Sequence, residues 1–289
     1  MDKNELRKLI AIWFKEDIRE GDHTSLSCIP ATEMGCQQLI IKDTGVLAGV
    51  EVAKEIVDYF DSECRFEQFL NDGAHVKPGV VAFKVYGKEL SLLQIERTML
   101  NIMQRLSGVA TTAYQYQSLI ADTGCHVLDT RKTTPGLRYL EKEAVALGGG
   151  MNHRIGLFDM ILLKDNHVDF AGGITNALMR ARAYCREKNL DLKIEIEVRN
   201  FDEIREALDT NIPDRIMLDN FTPQRTREAV YLIRKWEEKS GRHMEIESSG
   251  GITFDTIRSY ALQGVDFVSV GALTHSYKSL DMSFKAVKS

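Results

Sequence analysis

Residues able to bind anions or stabilise charge recur in this chain at one kind of place, directly after a short apolar run. Asp129, Thr130, Arg131 and Lys132 follow the run 126–128, and Lys164, Asp165, Asn166 and His167 follow 160–163. Glu197 lies at the end of 194–198, Asp219 and Asn220 follow 215–218, and Ser248-Ser249-Gly250-Gly251 closes 244–247. Gly271-Ala272-Leu273-Thr274-His275 follows 267–270. The cations Arg97, Arg105, Arg131, Lys132, Arg138, His153, Arg154 and Lys164 sit in apolar or tightly turned stretches. Unpaired charge is costly there, so they need anions: their own neighbours Asp129, Asp159 and Asp165, or a ligand. Arg105 alone reads as a helix-surface residue. In Ile194-Glu195-Ile196-Glu197-Val198 the two glutamates share one strand face. Together with Asp219 they suit cation pairing, a magnesium site, or stabilisation of developing positive charge. Glycine lets backbone N–H groups approach an anion closely, so the two late glycine loops read as a phosphate cradle; ordinary strand-to-helix turns are the plainer alternative.

The elements that must position these residues follow from the same rhythm. Six short apolar runs, each ending in a polar cluster and giving way to helical sequence, predict parallel strands with helical crossovers. A barrel collects all its strand carboxyl ends at one face. A doubly wound open sheet would concentrate polar residues at one switch point. Polar clusters close all six runs, which favours an α/β barrel, incomplete or with strands that are not legible. Before residue 126 the pattern is mixed. A helix carries Leu6, Ile10, Trp13 and Ile18 and stops near Gly21; strands are expected at 37–42, 65–70 and 80–86, and a helix at 50–60. A long helix is expected over 90–106, broken at Gly108 and resumed to 120.

Composition narrows the function. A formal charge of −5 argues against a general nucleic-acid binder. No apolar stretch approaches the roughly 20 residues of a membrane span, and the N-terminal residues are charged rather than signal-like. Five dispersed cysteines without a CxxC pair read as reduced thiols of a cytoplasmic protein, with neither a disulfide framework nor a zinc site. Neither a nucleophile elbow nor GxGxxG is present.

Several segments carry a resemblance: ERT (96–98) through RLSG (105–108), DTRKTTPGLR (129–138), GGGMNHR (148–154), KDNH (164–167), EIEV (195–198), LDN (218–220), ESSGG (247–251) and GALTHS (271–276). In this order, over nearly the whole chain, they resemble the quinolinate phosphoribosyltransferases. Glu143 and Ala146 depart from the residues many members carry, an aromatic and a basic one. The resemblance implies an N-terminal α/β sandwich over 1–112, joined by the tail 277–289, and an incomplete α/β barrel over 113–276. It implies a homodimer, the substrates quinolinate and phosphoribosyl pyrophosphate, and Mg2+. Arg131, His153, Arg154 and Lys164 would hold quinolinate with Arg97 of the other subunit. Lys132, Glu197, Asp219, Ser248, Gly250 and Gly271 would serve the phosphoribosyl donor and its metal, and Arg138, Ser249 and His275 complete the substrate-binding set. Glu197, Asp219 and Lys164 would be the catalytic groups. Rival readings are a paralogous enzyme for another acidic heterocycle, a Schiff-base aldolase using Lys164, and a non-catalytic nucleotide sensor.

Overall fold

The computed structural model describes residues 1–287. Along the chain run α1 (Lys3–Asp17), α2 (His23–Cys28), β1 (Met34–Ile41), β2 (Gly45–Val46), α3 (Val50–Phe60), β3 (Arg65–Gln68), β4 (His75–Val76), β5 (Val81–Lys88) and α4 (Glu89–Ile120). There follow β6 (His126–Leu128), α5 (Arg138–Leu147), β7 (Ile161–Leu163), α6 (Asp165–Ala171), α7 (Ile174–Lys188) and β8 (Ile194–Val198). The rest comprises α8 (Phe201–Thr210), β9 (Arg215–Asp219), α9 (Pro223–Ser240), β10 (Glu245–Ser249), α10 (Ile257–Ala261), β11 (Phe267–Ser269), α11 (Ala272–His275) and β12 (Met282–Ala286). Side chains set several of these ends. Asn200 and Thr222 accept backbone N–H groups at the starts of α8 and α9, while Asn189, Asn211 and Gly241 adopt the left-handed conformation that stops a helix. No described helix is long and apolar enough to cross a membrane.

The chain divides into two units, one comprising 1–115, 133–149 and the chain from 273, the other 116–132 and 150–272. The segment 133–149 with α5, grouped with the barrel in the sequence reading, packs with the first unit, as do 273–276. Of the tail 277–289, residues 288 and 289 lie outside the described residues.

The first unit holds an antiparallel sheet in the order β12-β1-β5-β3 and a small β2-β4 pair. The break expected at Gly108 is absent, and α4 runs on through it. Gly108 serves packing instead, because a Cβ there would lie 2.4 Å from the carbonyl oxygen of Lys278. Arg105 is also corrected. Its guanidinium grips the fully buried Glu141, with Nε donating to Oε1 at 2.8 Å, and it also donates to the Thr134 hydroxyl. The Thr134 N–H occupies the second Glu141 oxygen at 3.1 Å. Helical periodicity identifies a face but not a charged partner 36 residues away.

The second unit holds six parallel strands in the order β6-β11-β10-β9-β8-β7. Chain neighbours from β7 to β11 pair in turn, and the first strand pairs with the last, as in a barrel. The seam lies between β6 and β7, where no described pairing joins the two. Met151 forms an isolated parallel bridge to Leu128 there, carrying the chain beside the end of β6. The register aligns Glu195 with Arg215 and Glu245, and Glu197 with Met217 and Glu247. Asp219 aligns with Ser249. Because side chains alternate along a strand, these charged and polar groups share the inner face, while Ile194, Ile196 and Val198 pack outward beneath the helices.

Candidate active site

The connection over 129–154 is pinned first. Asp129, wholly buried at the end of β6, accepts the N–H of His153 at 2.8 Å. His153 Nδ1 accepts the N–H of Arg154 at 2.7 Å, so the ring carries its hydrogen on Nε2, which faces Glu195 at 3.0 Å and Glu247 at 3.5 Å. A cavity of about 180 Å³ opens above, lined by Thr130, Arg131, Lys132, His153, Arg154, Leu162, Lys164, Met217, Glu247, Ser249 and Ser269. Arg131, Lys132, His153, Arg154, Lys164 and Ser249, singled out in sequence, thus come together from four different segments. Burial, then the charge of Arg131, pulls the Arg154 guanidinium below its usual value. Two cations pressed together in a half-buried place suit an anion.

Lys164, N-terminal to α6, donates its ammonium to Glu197 Oε2 at 2.9 Å. Of the carboxylates expected near it, Asp165 accepts the N–H of Asn166, while Asp159 accepts those of Ile155 and Gly156. Glu197 is almost wholly buried, and Asp219 closes the neighbouring strand, where Asn220 donates to its carboxylate at 2.8 Å. Asn220 itself is left-handed at φ 54° and donates its N–H to the Ser249 carbonyl at 2.9 Å. Gly250, at φ 102°, lies against it so closely that a Cβ would sit 2.3 Å from Asn220 Oδ1. Only glycine fits this turn. Ser248 is buried beneath Ser249, and Gly271 follows β11.

Three expected site residues fall in the first unit. Arg97 borders a separate hollow with Trp13, Glu16, Asp17, Thr98, Asn101 and Ile102. Arg138 donates to the Thr133 hydroxyl at 3.0 Å, and His275 pairs with the Ser276 hydroxyl at 2.8 Å.

Beneath the cavity lies a cluster that sequence reasoning passed over. Arg215 donates through Nε and NH2 to Glu245 at 3.0 and 2.9 Å, and through NH1 to Glu247 at 3.1 Å. Glu195 lies 4.0 Å from the same NH1. Burial raises both Glu195 and Glu247 to about 7. His153, Glu195 and Glu247 are close enough to hold a metal ion, but Arg215 already supplies a positive charge to the two glutamates. A signal existed: Arg215 precedes the apolar run Ile216–Leu218 within one strand, and Glu247 follows Ile246 in another.

Residues 22–107 match the N-terminal domain of the quinolinate phosphoribosyl transferase family, and 109–285 match its C-terminal domain. The chain belongs to the quinolinate phosphoribosyltransferase family. It is similar to a chloroplastic nicotinate-nucleotide pyrophosphorylase [carboxylating] of Arabidopsis thaliana, 39% identical over 97% of this chain and 82% of that one. A probable nicotinate-nucleotide pyrophosphorylase [carboxylating] of Bacillus subtilis is 38% identical over 98% of this chain and 94% of that one. In three dimensions the chain is similar to NadC from Streptococcus pyogenes, with a TM-score of 0.92, 35% identity and coverage of 100% and 99% of the two chains. The two family models divide the chain into two parts, and the solved relative shares its α/β architecture.

Proposed function

We propose that the protein transfers the phosphoribosyl group of phosphoribosyl pyrophosphate to quinolinate, releasing pyrophosphate and CO2 and forming nicotinate mononucleotide for de novo NAD synthesis. The observation that carries this reading is the single cavity walled by Arg131, Lys132, Arg154 and Lys164. Quinolinate has two carboxylates, and each charge-assisted hydrogen bond to them contributes about 1.5–3 kcal/mol. Nicotinate has one, and would leave part of the cationic wall unmatched. Sites built for a missing polar group reject such analogues by about 10⁴–10⁵-fold.

The pyridine nitrogen attacks the anomeric carbon as pyrophosphate leaves. Positive charge builds on the sugar, and Glu197 and Asp219, on adjoining strands, stabilise it. Mg2+ fits this pair, since it is commonly held by one or two carboxylates plus substrate phosphates; bound there it would neutralise the departing pyrophosphate. Arg131, Arg154 and Lys164 orient the carboxylates. Lys132, Arg138 and His275 contribute to substrate binding, and Ser248, Ser249, Gly250 and Gly271 supply the phosphate loops. His153 forms part of the quinolinate pocket wall. The ion pair of Lys164 with Glu197 supports an orienting role over that of a Schiff-base nucleophile.

The enzyme works as a homodimer in which Arg97 reaches the partner's substrate. It resides in the cytoplasm, a reading supported by five free cysteines. Incubation with quinolinate, phosphoribosyl pyrophosphate and Mg2+ should release CO2 and mononucleotide together; inactivity with quinolinate but turnover of another acidic heterocycle would favour the paralogue. Glu197→Gln should lower kcat more than it raises either KM. Mixed dimers of Arg97→Ala and Arg131→Ala chains should regain activity, and none would be regained if each site were built from one chain.

A further inference from the structure

The inner charges of the second unit leave one proton to be placed. Three carboxylates, Glu195, Glu245 and Glu247, face the guanidinium of Arg215, and Lys193 pairs with Glu245 at 2.8 Å. His153 adds no positive charge, because its Nδ1 accepts the Arg154 N–H at 2.7 Å and cannot carry a hydrogen. The cavity cations Arg131, Lys132, Arg154 and Lys164 are taken up when a dianion binds. Three carboxylates against two cations would bury a net negative charge, which is strongly unfavourable. One carboxyl therefore keeps its proton. Glu195 and Glu247 face each other within 4.8 Å and hold that proton between them, and of the two only Glu247 lines the cavity, so Glu247 is the one placed to pass it to a ligand. Burial and the facing Glu195 both push the Glu247 carboxyl upward, to about 7. Glu247 and Ser269 stand in the cavity wall.

The proposed reaction creates a need for such an acid. When the C2–carboxylate bond of the ribosylated pyridinium breaks, CO2 departs and its bonding electron pair stays on C2. Product formation then requires a proton at that carbon. We propose that Glu247 is the acid that protonates C2, an assignment that rests on the phosphoribosyltransferase reading above. The O–H bond of Glu247 breaks as the C2–H bond forms, leaving a carboxylate 3.1 Å from Arg215 NH1; water returns the proton once product leaves. A cavity ammonium is the poorer donor, since losing its proton would also lose the charge that holds the remaining carboxylate. In its neutral form Glu247 also lets a dianion lie against it without repulsion.

The test is Glu247→Gln in the full-length enzyme, with Glu247→Asp beside it. For Gln, kcat should fall by about 10²–10⁴-fold, the usual range for losing a positioned acid. The affinity for quinolinate alone, measured by calorimetry, should stay near wild type. The solvent deuterium isotope effect on kcat should rise, because proton arrival becomes limiting. Asp, which keeps an acid but draws it back, should recover part of the rate, and it carries the test alone if the Gln chain does not fold. Undiminished kcat in Gln, or a loss of rate accompanied by weakened quinolinate binding and an unchanged isotope effect, would overturn the proposal. For Asp alone, a rate no different from that of chains lacking any acid at 247 would do the same. Wild-type protein inert toward quinolinate would instead defeat the parent reading before any variant is made.

Discussion

Each unit sets an arginine against buried glutamate, and the two arrangements are built to different ends. In the first, Arg105, Thr134 and Glu141 satisfy one another: one cation meets one carboxylate, and both carboxylate oxygens accept a bond. In the second, Arg215 serves Glu245 and Glu247 and lies near Glu195, and several buried carboxylate oxygens there lack a donor. A closed set fixes structure. A set with too much negative charge holds a proton, and it holds it beneath the cavity proposed above for the substrate.

The contrast can be broken most forcefully at Glu141. Glu141→Ala leaves Arg105 without its buried anion and should cost about 3–5 kcal/mol of stability, read by denaturant unfolding. A much smaller loss would mean that Arg105 simply turns to water. Arg131→Ala should do the reverse: unfolding stability near wild type, because it also relieves repulsion on Arg154. Its quinolinate KM should rise by the equivalent of about 1.5–3 kcal/mol, roughly 10- to 150-fold, while KM for the phosphoribosyl donor changes little. The subtlest effect concerns pH. Glu247 holds its proton up to about 7 when folded, against 4.5 ordinarily, so the folded state binds the proton more tightly. Its contribution to stability is therefore complete below pH 4.5 and is lost as pH climbs to about 7. Glu247→Gln should flatten that decline in unfolding free energy; an unaltered slope would assign it wholly to Glu195 and other groups.

What was legible in sequence follows the same divide. The six strands of the second unit could be read because each is a short apolar run ended by polar residues, and Arg131, Lys132, Arg154 and Lys164 stood out as charges beside such runs. The inner partners were obscure. Arg215 and Glu247 lie within strands, and only the pairing that puts them on one face, two residues apart in register, gives them meaning. Gly108 looked like a helix break because its reason, the Lys278 carbonyl, is 170 residues distant. That 133–149 packs with the first unit is not legible either, because the buried tie from Glu141 to Arg105 leaves no local mark.

Strand order also governs how the chain is made. His126 pairs with Phe267, and Gln37 with Ala286, so each sheet waits for residues synthesised long after its earlier strand. On the ribosome β1 and β6 must remain without these partners until residues 267–286 emerge, and pairing across such distances is slow. Assembly of both halves is thus deferred until long after their first strands are made, and over that interval the unpaired strands are exposed to aggregation.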